Sequence, residues 1–268
     1  MTWIYAVPAW VFFVVVVLAL SGAAAFGLLV FQRIVPQSDE LAHNDVAGPI
    51  IGTVGTILAV VLSFLLVGNW QEYDAAAATM SQEASSVGDL YHIASYLPAP
   101  IASQLQAACR SYVEIVVDRE WPAMREGRSS PEALQASLTM LQIVARYQPQ
   151  AAAQQTLQQN ALLLATTILD GRRTRLFDND QGIPAYFWAG NFFLAALTIA
   201  FCYLFRVRKR SLHVAMTVGL TCAIATLFAI TAELDYPFRG DTQLRPYPFV
   251  QLQQTWTDPS LDQAHRTR

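Results

Sequence analysis

Four stretches without a charged side chain constrain this chain more than any other feature: Met1 to Gln32, Val46 to Gln71, Gln181 to Phe205 and Ser211 to Ala232. At the helical rise, about 20 apolar residues cross the roughly 30 Å hydrocarbon layer of a bilayer. Each stretch is long enough. Charged residues make up 14% of the chain, against about 25% in an average soluble protein. The expected fold is therefore all-α, an integral membrane protein with four transmembrane helices. A helical bundle is inserted between the second and third spans. The expected division is 1–71 for spans one and two, 72–182 for an extramembrane helical domain, 183–235 for spans three and four, and 236–268 for a polar tail.

Span one is expected from about Pro8 to Phe31. Ser21-Gly22-Ala23-Ala24-Ala25 imitates a signal cleavage site, but no Lys or Arg precedes Arg33, so the helix reads as retained. A short polar connection follows, with Pro36 and Asn44 as breakers. Span two ends at Trp70 and Tyr73. Span three begins after Gly182 and Pro184 and stops at Arg206, and span four runs from about Leu212 to Ala232. In an alternating path the start of one, end of two, start of three and end of four share a side. All four ends carry Trp or Tyr, as an interfacial belt requires. Arg206, Arg208, Lys209, Arg210 and Arg33 fall in the short connections, which the positive-inside rule places in the cytoplasm; the helical domain is then external.

Span two has two unlike faces. Gly48, Gly52, Gly55, Ala59 and Ser63 recur at helical spacing on one, and Ile51, Leu58, Leu62 and Leu65 lie on the other. A thin face suits either close helix packing or the wall of an ion path. No breaker separates this span from the alanine-rich segment after it, so one rod of about 75 Å is expected from Ala47 to about Leu97.

Four stripes follow in the inserted domain. Val87, Leu90, Ala94 and Leu97 form the first, with Met80, Ala84 and Tyr91 beside them, and Pro98 and Pro100 stop it. Leu105, Ala108, Tyr112 and Ile115 form the second, ended near Pro122. Ser129 and Glu132 fit a capping box around Pro131, which opens a third with Leu134, Leu138, Leu141 and Ala145. The fourth opens after Pro149 with Leu157, Ala161, Leu164 and Ile168, and leaves through a loop from Asp178 to Gly182. From Arg239 onward the chain is polar and punctuated by Pro246, Pro248 and Pro259, and reads as a surface-lying or partly disordered extension.

Chemistry is sparse. His43, His92, His213 and His265 are scattered and read as surface or interfacial groups. Cys109, Cys202 and Cys222 lack metal-ligand spacing and read as small apolar fillers. Asp178, Asp180 and Gly182 lack the remaining ligands of a calcium loop. Asp118, Glu120 and Trp121 read as a solvated helix end, and Arg239-Gly240-Asp241 is assigned nothing. No enzymatic constellation, cofactor site or metal site is expected, and a net charge of −3 gives nucleic-acid binding no support. The absence of buried charge in the spans weighs against a proton-coupled transporter.

Taken together, Asn44, Gly48 and Gly52, the run Trp70-Gln71-Glu72-Tyr73, Glu83-Ala84, and Asp235, Pro237, Phe238 and Gly240 in the element Leu234 to Gly240 resemble the bacterial bestrophin-like family of membrane proteins. The resemblance extends, more distantly, to true bestrophins, which are pentameric anion channels with a hydrophobic neck formed by their second spans. It implies a homo-oligomeric ion channel in a bacterial inner membrane, with the lipid bilayer and copies of itself as partners and an inorganic anion such as chloride as permeant. Alignment on Trp70 brings Gly52, Thr56 and Val60 to the neck, with Ser63 further along the same wall. Bestrophins carry bulky apolar residues at the neck and keep their helical domain cytoplasmic, so this chain departs on both counts. The rival expectation is a non-conducting scaffold or sensor whose helical domain binds a partner protein.

Overall fold

The structure, a computed structural model, describes residues 7–35, 44–205, 207 and 209–257. His43, Pro36, Arg206, Arg208, Pro259 and His265 lie outside them. The chain divides into two compact units. A membrane unit comprises Met1–Glu72, Gly182–Asp235 and Gly240–Thr242, and a helical unit comprises Tyr73–Gln181, Tyr236–Arg239 and Gln243–Arg268. Among the described residues all regular structure is helical.

The membrane unit contains α1 (Ala9–Ile34), the first part of α2 (Asn44–Ala94), α7 (Ala185–Tyr203) and α8 (Arg210–Leu234). The chain is therefore an integral membrane protein of four spans, each helix long and apolar enough to cross. Its burial is inverted in the way lipid demands: Trp10, Leu18, Phe26, Phe64 and Phe193 point outward, while small and hydroxyl residues lie inside. Ser21, Ala24 and Leu28 of α1 are buried, and α1 packs chiefly on α8. Gly27 leaves room there for Tyr203: a Cβ would stand 2.7 Å from its hydroxyl, which donates to the Ala24 carbonyl at 2.8 Å.

Several hydroxyls in the spans are satisfied within their own helix, while Asn191 Oδ1 and Thr217 Oγ1 are buried without a partner among the described residues. The hydroxyls of Thr198, Thr221 and Thr231 donate to the carbonyl four residues back, the arrangement open to Ser and Thr inside a helix. Asn69 is buried and donates to the Thr231 carbonyl at 3.0 Å, tying α2 to α8. His213 is buried too, not interfacial: its Nε2 lies 2.9 Å from the Cys202 carbonyl and its Nδ1 3.1 Å from Gln32.

The helical unit holds the rest of α2, α3 (Ala99–Ile115), a π-helical turn (Val116–Glu120), α4 (Trp121–Arg125), α5 (Pro131–Arg146), α6 (Ala152–Asp180) and α9 (Tyr247–Thr257). Met80, Ala84, Val87, Leu90, Ala94 and Leu97 are buried as their spacing predicts. So are Leu105 and Tyr112 of α3, joined by Cys109 and Val113, and Ala161 and Ile168 of α6.

Three readings are corrected. The buried face of α5 is Ala133, Ser137, Met140 and Val144, one residue before the expected stripe, and Leu134 is 42% exposed. The small residues of that face are what allow α5 to approach α3 and α6, on which it packs. Its cap is correspondingly Ser130, whose Oγ accepts from Ala133 N at 3.3 Å, because Pro131 occupies the first helical position. The segment beyond Arg239 is not simply an extension. It folds into α9, with Leu244 and Phe249 buried in the core of the helical unit. Finally, α6 continues through Asp180, and Asn179 is buried rather than in an exit loop.

Candidate functional site

The helix α2 carries the residues expected to face an ion path. On its bulky side Leu58 and Leu62 are buried against Ala195, Ile224 and Phe228. Gly52 and Ser63 of its thin side are exposed, as are Thr56 and Val60 beside them and the larger Ile57, Phe64 and Val67. A Cβ added at Gly48, Gly52 or Gly55 would meet nothing within 4 Å. The chain's own helices therefore leave this face uncovered. Thr53, Thr56 and Ser63 each donate to the carbonyl four residues earlier, at 2.9, 2.8 and 2.7 Å. Each of these hydroxyls must rotate before it can donate elsewhere.

The other residues singled out in the sequence are spread over both units. Asn44 opens α2, half-buried; Trp70 is exposed, and Tyr73 packs against the core of the helical unit. Asp235 Oδ1 accepts from Ile183 N at 2.6 Å and so fixes the entry to α7. In the helical unit the Pro237 carbonyl accepts from Leu244 N at 2.7 Å. Phe238 is fully buried, edge-on to Trp121 at 5.7 Å. Gly240 has φ +75°, a conformation few other residues adopt. Arg239, assigned nothing in the sequence, is buried and donates to the Asn179 carbonyl at 2.6 Å.

Glu83 belongs to a constellation the sequence does not announce. Arg175, fully buried, donates through Nε to Glu83 Oε2 at 2.9 Å and through Nη2 to Glu83 Oε1 at 3.0 Å and Glu120 Oε2 at 2.9 Å. Arg172 donates to both oxygens of Glu120 and, at 3.0 Å, to the Ser130 carbonyl. The Tyr112 hydroxyl donates to Glu83 Oε1. The Arg175 guanidinium also lies 5.0 Å from the Trp121 ring centre. Two arginines and two glutamates are thus neutralised inside one core, each charge answered by hydrogen bonds, the condition for tolerating buried ions.

This overturns the reading of Glu120 and Trp121 as a solvated helix end: both are buried. The π-helical turn ending at Glu120 is the local cause, since one extra residue per turn rotates the side chains beyond it. Burial works against the Arg175 charge, but Glu83, and after it Glu120, more than offset this and hold its pKa above the ordinary value. Burial, followed by the Glu83 charge, pushes the Tyr112 hydroxyl well above its usual range. A legible signal did exist. Arg172 and Arg175 continue the face of Ala161, Ala165 and Ile168, and Glu83 sits in register with Ala76, Met80 and Val87. Gly171 lets the two helices meet, as a Cβ there would stand 3.1 Å from that of Glu83. Among the described residues no group of three His, Cys, Asp or Glu could hold a metal ion.

These features define a class: an all-α membrane protein of four spans, with a helical domain between the second and third whose core is cross-tied by buried ion pairs. The chain belongs to the bestrophin-like family, since a bestrophin-like domain matches residues 18–249. It is similar to two crystal structures of point variants of a bacterial bestrophin homologue from Klebsiella pneumoniae, at 13% and 14% identity and a TM-score of 0.60. Each match covers 91% of this chain and 96% of that one. A crystal structure described as a membrane protein matches at 13% identity and a TM-score of 0.60, over 91% of this chain and 95% of its own. At such identities the likeness concerns the fold alone. No curated protein matches the sequence.

Proposed function

We propose that this protein is a homo-oligomeric anion channel of a bacterial inner membrane, pentameric as the family resemblance implies, with chloride as a representative permeant. One observation supports the reading: Gly52, Thr56, Val60 and Ser63 stand uncovered by the chain's own helices on the membrane part of α2, where, among the described residues, only Leu58, Leu62 and Asn69 are buried. Repeated around an axis, these faces would make a narrow wall without fixed charge. Ions would pass by partial dehydration over weakly binding surfaces, with selectivity set by width and by hydroxyl rotors that turn to donate to an anion. No covalent chemistry belongs to this reading.

The same uncovered face also suits close packing between copies. That favours a second reading, a non-conducting scaffold or sensor whose helical unit binds a partner protein. Purified protein in liposomes separates the two. Chloride flux is expected, and Thr56→Phe or Val60→Trp should reduce it at least about fivefold by narrowing the path. Tight vesicles, together with a particle that has no axial opening, would establish the scaffold instead.

A further inference from the structure

The helix α2 runs unbroken from Asn44 to Ala94, and its uncovered face does not end with the membrane unit. Within the helical unit Asp74, Ala78, Ser81, Ser85, Asp89 and His92 are exposed. They recur at steps of three and four, so they share one face of the helix. The same steps, carried back along α2, reach Trp70, Val67, Ser63, Val60, Thr56 and Gly52, all exposed as well. On the opposite side Ala76, Met80, Val87 and Leu90 are buried in the core of the helical unit.

The chemistry of this face decides what can lie against it. From Asp74 to His92 it offers no apolar side chain larger than alanine. Seams between proteins enrich aromatic residues and Arg and deplete Asp, Ser and Ala, so a dry seam matches it poorly and a wetted wall matches it well. Asp74 and Asp89 have no ion pair among the described residues, and α2 contains no Lys or Arg. Glu83, the other acid in this part of the helix, faces inward and is held by Arg175. The carboxylates that this face presents are therefore uncompensated.

We propose that Asp74 is a specificity-determining residue of the channel. Repeated around the axis, its carboxylates form a ring of negative charge just past the membrane part of α2. The inference rests on the reading of α2 as the wall of the ion path, and refines the selectivity of that path. The uncharged wall at Gly52, Thr56 and Val60 admits an anion by its width, whereas the ring gathers cations and sets a barrier that each anion must cross. Chloride throughput is thereby held below what the width alone allows, and a small monovalent cation shares the path. Asp89 lies 15 residues further on, about 22 Å along the helix. That exceeds two Debye lengths at ~0.1 M salt, so it forms a second, independent ring.

Chloride and sodium fluxes of the full chain in liposomes, measured in parallel at ~0.02 M and ~1 M salt, test this. At low salt Asp74→Asn should raise the ratio of chloride to sodium flux about threefold, and Asp74→Lys about tenfold. Both gains should vanish at high salt, where the Debye length shrinks to ~3 Å. Asp74→Glu should keep the parent ratio, as should Glu114→Gln, which alters an exposed acid on α3. A merely structural aspartate would change the amount of active protein but neither the ratio nor its salt dependence. An unchanged ratio in both Asp74→Asn and Asp74→Lys, in vesicles whose flux Thr56→Phe still suppresses, would overturn the proposal and leave the path reading standing. No flux in the parent protein, or flux indifferent to Thr56→Phe, would overturn that reading and the proposal with it. Sodium flux without chloride flux would support the acidic ring and overturn the anion as permeant.

Discussion

Arg175 holds the most consequential position among the charged residues. It reaches both Glu83 and Glu120, whereas Arg172 reaches Glu120 and one carbonyl. Removing Arg175 leaves the buried Glu83 without a cation and Glu120 with Arg172 alone, and breaking such a buried pair costs about 3–5 kcal/mol. Removing the Tyr112 hydroxyl deletes one hydrogen bond to a charged acceptor, about 1.5–3 kcal/mol. Thermal unfolding followed by circular dichroism should therefore rank Arg175→Met as clearly more damaging than Tyr112→Phe. Equal losses would show that the network is not organised around the arginine. Glu83 was legible as part of a family motif, but its partners were not. Hydrophobic spacing treats Arg172 and Arg175 as gaps in a stripe, and only opposing carboxylates make such gaps burial sites.

Helices with unequal faces were read well where the residues differ in kind, and badly where they do not. α2 separates leucines from glycines; within the chain Leu58 and Leu62 are packed and the glycines meet nothing, although close packing was one of the two uses expected of the small face. α5 offers apolar residues on two adjoining stripes, and the smaller one is buried because α3 and α6 lie close. α9 escaped notice since Pro246 and Pro248 flank its start and five of its eleven residues are Gln or Thr. Its hold is specific, however: Phe249 is fully buried and tilted against Trp121 at 6.0 Å, and Trp256 stacks on Tyr91 at 4.5 Å. Phe249→Ala should cost about 3–5 kcal/mol and expose the segment after Leu244 to limited proteolysis, with α2 through α6 retained. A cleavage pattern identical to that of the parent protein would mean that α9 is held by other contacts.

Taken as one chain, the protein presents an uncovered thin face on α2 and a helical unit whose side of the membrane follows, in our reading, from Arg33 and the basic connection before α8. The positive-inside rule puts the helical unit outside the cell. Gln135 lies on the exposed face of α5, and Cys109, the only cysteine in the helical unit, is buried with its thiol pushed up to about 12. In intact cells Gln135→Cys should react with an impermeant maleimide above the background of the parent protein. Protection until lysis would reverse the orientation and bring the helical unit into the cytoplasm.

By itself the sequence determined four membrane-crossing helices and a helical insertion, because transferring charge-free runs out of water dominates every local preference. It also determined which side of α2 is thin. Only the tertiary structure decided that Glu83, Glu120, Arg172 and Arg175 share one dry core, and that α9 returns to the bundle. Each of these depends on residues far apart in the chain that become neighbours once helices pack, and the energy of a buried charge is set by those neighbours rather than by its own position.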